Sequence, residues 1–163
     1  ETQIGPVVSA PQMDKILAFI DSAHKEGAQP LTGGNRMRGA GYDAGYFIEP
    51  TIFTGVADDM TIAREEIFGP VLSAFAFDTI EEVLMRANAT EFGLGSGVWT
   101  RDLATAHRMA RGIRAGSVWV NCYQMLDPAV PFGGYKMSGF GRESGPHHIE
   151  DYLETKAIWM KLD

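Results

Sequence analysis

Hydrophobic positions near the start of the chain recur every three to four residues, the period of an amphipathic helix. In APQMDKILAFIDSAHKEGA, residues 10–28, the apolar side chains share one helical face: Ile16, Leu17, Phe19, Ile20 and Ala23. Gly27 is predicted to end this helix, because glycine adopts the left-handed conformation of a C-terminal cap without strain.

The pattern is less regular in the next part of the chain. Residues 31–45 are rich in glycine and predict a loop or hairpin. YFIEPTIFTGV, residues 46–56, is typical of a strand, with Pro50 favouring an edge or irregular position. DDMTIAREEIFGP, residues 58–70, predicts a short helix that ends at its Gly-Pro pair.

Three apolar runs then alternate with two amphipathic stretches over residues 71–122. The runs VLSAFAFD, GLGSGVWT and AGSVWVNC are predicted to be strands. Between them, TIEEVLMRANAT predicts a helix that opens with a capping box of Thr79 and Glu82. RDLATAHRMARGIR predicts a second helix, with apolar residues at helical spacing: Leu103, Ala106, Met109, Ala110 and Ile113. This order, with continuously apolar strands, is typical of a parallel α/β sheet buried on both faces.

The end of the chain changes character again. Beyond a glycine-rich loop we expect a short helix near residues 144–152 and a final strand, TKAIWMKLD, over residues 155–163. Successive side chains of that strand, such as Trp159 and Met160, fall on opposite faces. The strand stands apart from the strand–helix run, so we expect it to pair with something outside the domain.

Composition places the chain among globular proteins, with 45 % hydrophobic and 21 % charged residues in 163. The net charge of −7 disfavours nucleic acid as a partner, because phosphate binding needs a basic patch. No apolar run is long enough to span a bilayer, so no membrane association is expected. With Cys122 as the only cysteine, a reducing, cytoplasmic location is the simpler expectation. The chain begins with Glu1 rather than Met, so we expect a fragment or a processed product.

Cys122 is the first candidate for chemistry. A reactive cysteine needs a nearby cation, base or helix N-terminus that stabilises the thiolate. Its neighbours Asn121 and Tyr123 carry no positive charge, and free cysteines are often buried. The residues therefore favour a core or lining role over a nucleophile, and the end of a sheet strand is a place where a residue lines a site.

The segment REEIFGP, residues 64–70, carries two adjacent acids beside an aromatic residue. Two neighbouring carboxylates on a helix face different directions, so Glu65 and Glu66 are expected to have different roles. One interpretation, which the local residues favour, is a solvated face with a structural ion pair to Arg64. The other is a carboxylate that accepts hydrogen bonds from both hydroxyls of a ribose, with Phe68 beside it as a flat apolar wall.

The segment PFGGYKMSGFGRESG, residues 131–145, contains five glycines, which permit tight turns and close backbone approach. Its spacing does not match a dinucleotide-binding fingerprint, so no phosphate loop is expected. Arg142 and Glu143 are sequence neighbours that do not easily pair with each other, so each needs another partner. Glu143 is interpreted either as a proton relay or as part of a structural ion-pair network.

Two other signals are weaker. No metal site is expected, because the histidines lack ligand spacing: His24, His107, His147 and His148. Asn88 begins a glycosylation sequon inside a predicted helix, where a chance match is the better interpretation.

In this order, the motifs resemble the aldehyde dehydrogenase superfamily. The resemblance rests on TQIGPVVSAPQMDKI, EGAQPLTGG, EPTIFTGVADDMTIAREEIFGPV, RANATEFGLGSGVWTRDLATA, AGSVWVNCY and PFGGYKMSGFGRESG, which run through essentially the whole chain. It implies that residues 1–154 are the C-terminal part of a catalytic domain, an α/β three-layer sandwich with a mostly parallel sheet. Residues 155–163 would be a terminal oligomerisation strand.

The resemblance implies roles for single residues. Glu66 matches the acid that binds the nicotinamide ribose of NAD(P)⁺, and Phe68 matches the aromatic beside the nicotinamide end. Glu143 matches a glutamate proposed to relay a proton during deacylation. Phe132 and the loop from Cys122 to Asp127 match the wall of the aldehyde tunnel.

Two further matches are structural. Arg142 and Glu154 match an ion pair that anchors the terminal strand near the subunit interface. Lys136 and Gly139 match positions that bind potassium through backbone oxygens in a betaine-aldehyde branch, and no such ion is assigned to this chain.

The family's nucleophilic cysteine, its general-base glutamate, its oxyanion-hole asparagine and its Rossmann domain precede the matching region, and Cys122 does not match the nucleophile. We therefore expect the C-terminal fragment of an NAD(P)⁺-dependent aldehyde dehydrogenase, an enzyme that converts an aldehyde to a carboxylic acid and forms a homo-oligomer, dimeric or tetrameric. The isolated chain is expected to be inactive. The alternative is a non-catalytic folding or assembly module that self-associates through its terminal strand.

Overall fold

The computed structural model describes residues 4–163, so the first residues of the TQIGP motif lie outside it. The chain divides into two compact units, one ending at Phe77 and the other spanning Asp78–Asp163. The first unit holds α1 (Ala10–Glu26), β1 (Gln29–Thr32), β2 (Thr51–Thr54), α2 (Thr61–Arg64) and β3 (Val71–Ser73). The second holds α3 (Ile80–Ala89), β4 (Phe92–Gly93), β5 (Gly95–Val98), α4 (Leu103–Gly112), β6 (Ser117–Val120), β7 (Tyr135–Lys136) and a 3₁₀ helix (His148–Tyr152). Within residues 4–163, no helix combines the length and hydropathy needed to cross a membrane.

Helix α1 provides one buried face of the core of the first unit. Ser9 caps its N-terminus, and Gly27 ends it with a φ of 97°, as the sequence predicts. The buried face consists of Met13, Ile16, Ile20 and Ala23, packed against Phe53 and Ile67. Leu17 and Phe19 are only partly buried at the edge of this cluster, so the predicted face is confirmed at its centre.

The sheet of the first unit has the order β1-β2-β3. Strand β2 lies in the middle, antiparallel to β1 and parallel to β3. Its alternate residues Thr51 and Phe53 are buried. The edge position expected from Pro50 is wrong, because Pro50 precedes the strand and removes no donor from it. The apolar run predicted as a strand over 71–78 is a strand only at Val71–Ser73.

The second unit contains one confirmed strand–helix–strand element. Strands β5 and β6 pair in parallel and are joined through α4; Met109 in this helix and Ile113 at its C-cap are buried. Leu103 was expected on the buried face, but its side chain is 71 % exposed because it is the first residue of α4.

The prediction of one mostly parallel sheet through residues 71–122 is wrong for the described chain. Strand β3 pairs with β2, and β4 pairs antiparallel with β7. Strands of two or three residues form few hydrogen bonds with a neighbouring strand. Their partners therefore depend on which distant segments the loops bring beside them. The α/β class is confirmed, in small mixed sheets, and the three-layer sandwich stays a prediction.

Helix boundaries show a second correction. Helix α2 ends at Arg64, so the acids of REEIFGP follow the helix in extended backbone instead of lying on it. Helix α3 begins as predicted, with the Thr79 hydroxyl accepting from the Glu82 N–H at 3.1 Å. The Glu82 carboxylate accepts from the N–H of Asp78 at 2.9 Å.

Residues 155–163 form no strand within the described chain, because a strand needs a hydrogen-bonded partner and no other segment pairs with them. Their apolar side chains are exposed, and Trp159 reaches 94 %. The predicted terminal strand is therefore absent from the single chain, and its role in oligomerisation stays a prediction.

Candidate cofactor and substrate sites

The segment that follows α2 presents Glu66 and Phe68 on the surface of the first unit. Ile67 between them is buried at 8 % exposure in the core beneath α1. Ile67 is thus buried while both of its neighbours remain exposed. The carboxylate of Glu66 is exposed, and the ring of Phe68 is 73 % exposed.

Helix α1 stabilises the conformation of the segment that carries Glu66 and Phe68. The side-chain amide of Gln12 in α1 donates to the carbonyl oxygens of Ile67 at 3.3 Å and Phe68 at 2.9 Å. Phe68 has a φ of 58°, a left-handed conformation that is a rare outlier for a bulky residue. A side chain at Gly69 would collide with the buried side chain of Ile16, so glycine allows the segment to lie against α1.

This geometry suits a flat ligand that carries neighbouring hydroxyl groups. A solvent-facing carboxylate accepts two hydrogen bonds at once, and an aromatic ring held beside it offers an apolar wall. Local strain of about 1–3 kcal/mol at a residue such as Phe68 persists only when its surroundings enforce it, and such residues cluster at ligand sites. The residues present therefore fit the ribose and nicotinamide end of a dinucleotide.

The second unit brings Phe132 and Glu143 together as a bridge. The N–H of Phe132 donates to the carbonyl of Glu143 at 2.8 Å, and the reverse bond measures 2.7 Å. The Glu143 residue is exposed, so its backbone is fixed while its carboxylate stays free to turn. A cleft of about 360 Å³ opens beside this pair, lined by residues of the glycine-rich segment and the 3₁₀ helix, among them Arg142 and Tyr152.

Arg142 does not pair with Glu154 in the described chain. Its guanidinium instead donates to the carbonyl oxygens of Gly134 at 2.9 Å and Gly141 at 2.6 Å and lies 5.2 Å from the ring centre of Tyr135. The expected pair is wrong here because Glu154 lies exposed in the terminal segment while backbone carbonyls surround the guanidinium. Arg142 thereby braces the loop that carries Phe132 and Glu143.

Glycines allow the backbone to fold this closely. A Cβ at Gly116 would overlap the carbonyl oxygen of Gly133, so the turn before β6 touches the segment before β7 through backbone alone. This contact sets where the chain enters the Phe132 region, as the glycine-rich composition predicts.

Cys122 lies just beyond β6, partly buried, at the carboxyl end of a parallel strand pair. It follows Asn121, whose side chain accepts from the N–H of Thr100 and donates to its carbonyl, both at 2.9 Å. Further along, Asp127 is exposed and its carboxylate accepts from the N–H of Ala129 at 2.8 Å, which closes a turn. Both residues thus belong to one ordered loop before Phe132.

Sequence reasoning gave no role to the side chains of Gln12 and Asn88. Gln12 lies on a predicted helix without any pattern that points to a loop far away in sequence. The sequence marks Asn88 only as the start of a sequon, yet its amide donates to the carbonyl of Gly112 at 2.8 Å and accepts from the N–H of Arg114 at 2.7 Å. The structural role of Asn88 is to join α3 to the C-terminal end of α4.

Comparison with known proteins identifies the family of the chain. The model of the aldehyde dehydrogenase family matches residues 1–158. Betaine aldehyde dehydrogenase of Brucella anthropi is 51 % identical over 161 residues, which cover 99 % of this chain and 33 % of that protein. Aldehyde dehydrogenase 1 of Tanacetum cinerariifolium is 53 % identical over 157 residues, which cover 96 % of this chain and 31 % of that protein.

Solved structures give the same result. The NAD⁺ complex of aldehyde dehydrogenase from Bacillus cereus superposes with a TM-score of 0.92 at 47 % identity, covering 100 % of this chain and 32 % of that one. This chain thus spans about a third of the length of the relatives it matches. Its sequence and its fold together place it in the aldehyde dehydrogenase family, to which the chain belongs.

Proposed function

We propose that the chain is the C-terminal part of an NAD(P)⁺-dependent aldehyde dehydrogenase that converts an aldehyde to a carboxylic acid. Support comes from the family match and from an NAD⁺ complex among the similar structures. The parent enzyme is proposed to be cytoplasmic and homo-oligomeric, and to use NAD⁺ or NADP⁺.

One observation carries the cofactor assignment: Glu66 and Phe68 face outward from a segment anchored by Ile67 and Gln12. Glu66 accepts hydrogen bonds from the ribose hydroxyls, which fixes the sugar. Phe68 excludes water from one side of the nicotinamide and orients the ring. A bound oxidised nicotinamide would supply the hydride acceptor for the substrate, and Glu66 and Phe68 would hold it in position, which raises the rate of such a step.

The substrate side is assigned to the second unit. Phe132 and the loop from Cys122 to Asp127 form part of an apolar wall for the aldehyde. Glu143 relays a proton between this region and solvent, because its backbone is fixed by Phe132 while its carboxylate reaches water.

Cys122 is not proposed as the nucleophile. It lies partly buried beside an aromatic loop, in surroundings typical of a lining residue. The thiolate that attacks the aldehyde comes from another part of the parent enzyme, so these 163 residues alone turn over no substrate.

The cofactor assignment is tested in the full-length enzyme by replacing Glu66 with Gln. The amide accepts hydrogen bonds less strongly than the carboxylate, so we expect the KM for NAD⁺ to rise about tenfold while the KM for the aldehyde changes little. Glu65→Gln is the matched control, since it removes the same charge one residue away and should behave as wild type. Equal effects of both substitutions would refute the assignment.

The nucleophile assignment is tested with Cys122→Ser in the same enzyme. Formation of reduced cofactor should continue, with an effect confined to a small change in the KM for the aldehyde that Cys122 lines, whereas the isolated chain mixed with NAD⁺ and propanal should form none. Turnover by the isolated chain that disappears on substituting Cys122 would overturn the proposal.

A second candidate function, an assembly module, is favoured by the exposed apolar side chains of residues 155–163. An extended segment with free backbone groups is suited to pair with the edge of another sheet. Sedimentation of the full chain and of a variant lacking residues 155–163 separates the two: loss of self-association on truncation supports assembly, and a strict monomer in both cases argues against it.

A further inference from the structure

The loop after β6 is fastened to the strand before it by one indole ring. The Nε1–H of Trp119 in β6 donates to the carbonyl oxygen of Met125 at 2.8 Å. This bond spans the turn that contains Cys122, so it connects the strand directly to the far side of the loop.

The indole is itself fixed by its surroundings. A Cβ on Gly95 in β5 would come within 2.8 Å of the indole, so the edge of the ring occupies space that only glycine leaves open. On its other side the Tyr123 ring meets it edge-on at 5.1 Å, and Trp99 lies 6.2 Å from Tyr123. Such aromatic contacts favour one orientation of the ring.

The loop backbone needs this support. Asn121 and Gln124 both have a φ of 56°, a conformation that residues with side chains rarely adopt. Asn121 is held by its two hydrogen bonds to Thr100. Trp119 holds the far end of the loop, where Met125 and Leu126 are 70 % and 68 % exposed.

We propose that Trp119 is a positioning residue for substrate selectivity. Its N–H fixes the position of the loop backbone at Met125, and the exposed side chains of Met125 and Leu126 then form an apolar rim of the aldehyde wall that contacts large aldehydes. The inference rests on the proposed function, in which this loop forms part of the aldehyde wall. Trp119 touches the loop backbone and not the substrate, so losing its N–H moves the rim without changing the side chains that form it. Small aldehydes do not reach the rim and are unaffected.

The test uses Trp119→Phe in the full-length enzyme, with phenylacetaldehyde as a large substrate and acetaldehyde as a small one. Phenylalanine keeps an aromatic ring and removes the N–H donor. We expect the KM for phenylacetaldehyde to rise about fivefold, the loss expected for one hydrogen bond. The kcat for both aldehydes and the KM values for acetaldehyde and NAD⁺ should stay within about twofold of wild type.

Trp159→Phe is the matched control, because it makes the same exchange at a ring that is 94 % exposed and lies outside this aromatic group, and its KM values should match wild type. Gly95→Ala is a second variant. It keeps the tryptophan at position 119 but displaces its indole ring, so it should reproduce the selective rise in the KM for phenylacetaldehyde. A rise that is equal for both aldehydes, a fall in kcat alone, or no change in either Trp119→Phe or Gly95→Ala overturns the inference. If the wild-type enzyme oxidises neither aldehyde with NAD⁺ or NADP⁺, the proposed function fails, and the inference fails with it.

Discussion

The ammonium group of Lys136 lies 3.0 Å from the carbonyl oxygen of Asn88, and 2.9 Å from that of Thr90, at the C-terminal end of α3. The last carbonyls of a helix lack partners within it and carry partial negative charge, so a cation is favourable there. The same Asn88 joins α3 to the end of α4 through its side chain. Lys136 lies in β7 and also pairs with Phe92 of β4, so one residue links the helix end to the glycine-rich segment.

Replacing Lys136 with Met should lower the free energy of unfolding by about 1–3 kcal/mol, because two carbonyls lose a charged donor. Methionine keeps most of the apolar length, so the loss reports on the ammonium group. Urea titration followed by circular dichroism measures it. Lys161→Met, in the exposed terminal segment, is the control and should change stability by less than about 0.5 kcal/mol. Equal losses in both variants would contradict the role assigned to Lys136.

Asn88→Ala should also destabilise the protein by about 1–3 kcal/mol, since the carbonyl of Gly112 and the N–H of Arg114 both lose their partner. Asn35→Ala removes an exposed amide that bonds only to the side chain of Glu49, and its effect should be small. The engaged amide nitrogen of Asn88 also supports a chance origin for the sequon. A wild-type melting temperature for Asn88→Ala would be incompatible with this interpretation.

Glu26 should make stability depend on pH in the acid range. Hydrogen bonds from the side chain of Ser22 and from the side chain and N–H of Thr61 hold the pKa of this carboxyl below its usual value of 4.5. A group whose pKa is lower in the folded state stabilises the fold above the unfolded pKa, and the contribution disappears as pH falls through the folded pKa.

Glu26→Gln should therefore lower the melting temperature at neutral pH and flatten its decline between about pH 5 and pH 3. Glu154→Gln removes the same charge from an exposed carboxylate and serves as the control. The explanation fails if both variants show the same pH profile, since that would indicate a general effect of net charge.

Two substitutions of Phe68 separate the effect of its backbone conformation on stability from the effect of its ring on NAD⁺ binding. Phe68→Gly and Phe68→Ala both remove the ring and should weaken NAD⁺ binding by the full-length enzyme to a similar extent. Glycine adopts a positive φ without strain and alanine does not, so the Gly variant should be more stable than the Ala variant by about 1 kcal/mol. Thermal unfolding beside NAD⁺ titration gives both quantities, and an Ala variant as stable as the Gly variant would show that the backbone strain is absent.

Local patterns predicted the helices well. The period of apolar residues and the caps Gly27 and Thr79 act within a few residues, so they can be read directly from the chain. Strand pairing was predicted poorly because partners such as Phe92 and Lys136 are far apart in sequence. The helix expected through Glu66 ends earlier because burying Ile67 and bonding to Gln12 stabilise extended backbone there.

The candidate site was predicted unevenly for the same reason. Glu66 and Phe68 are exposed on an ordered segment, an arrangement compatible with their expected roles, which remain untested. Arg142 found backbone carbonyls instead of Glu154, since the charge alone does not indicate which acceptors a loop will bring near it. Trp119 carries no sequence signal for its bond to Met125, because a strand of apolar residues gives no reason to look for a donor.

The amide of Gln12 has a consequence for dynamics. It ties the first turns of α1 to the backbone of the segment that presents Glu66 and Phe68, so opening of one releases the other. A ligand that binds only the closed segment must lower the population of the open state of both by mass action. Amide hydrogen exchange in the first turns of α1, a region that touches no cofactor atom in this proposal, would then report how fully the cofactor site is occupied.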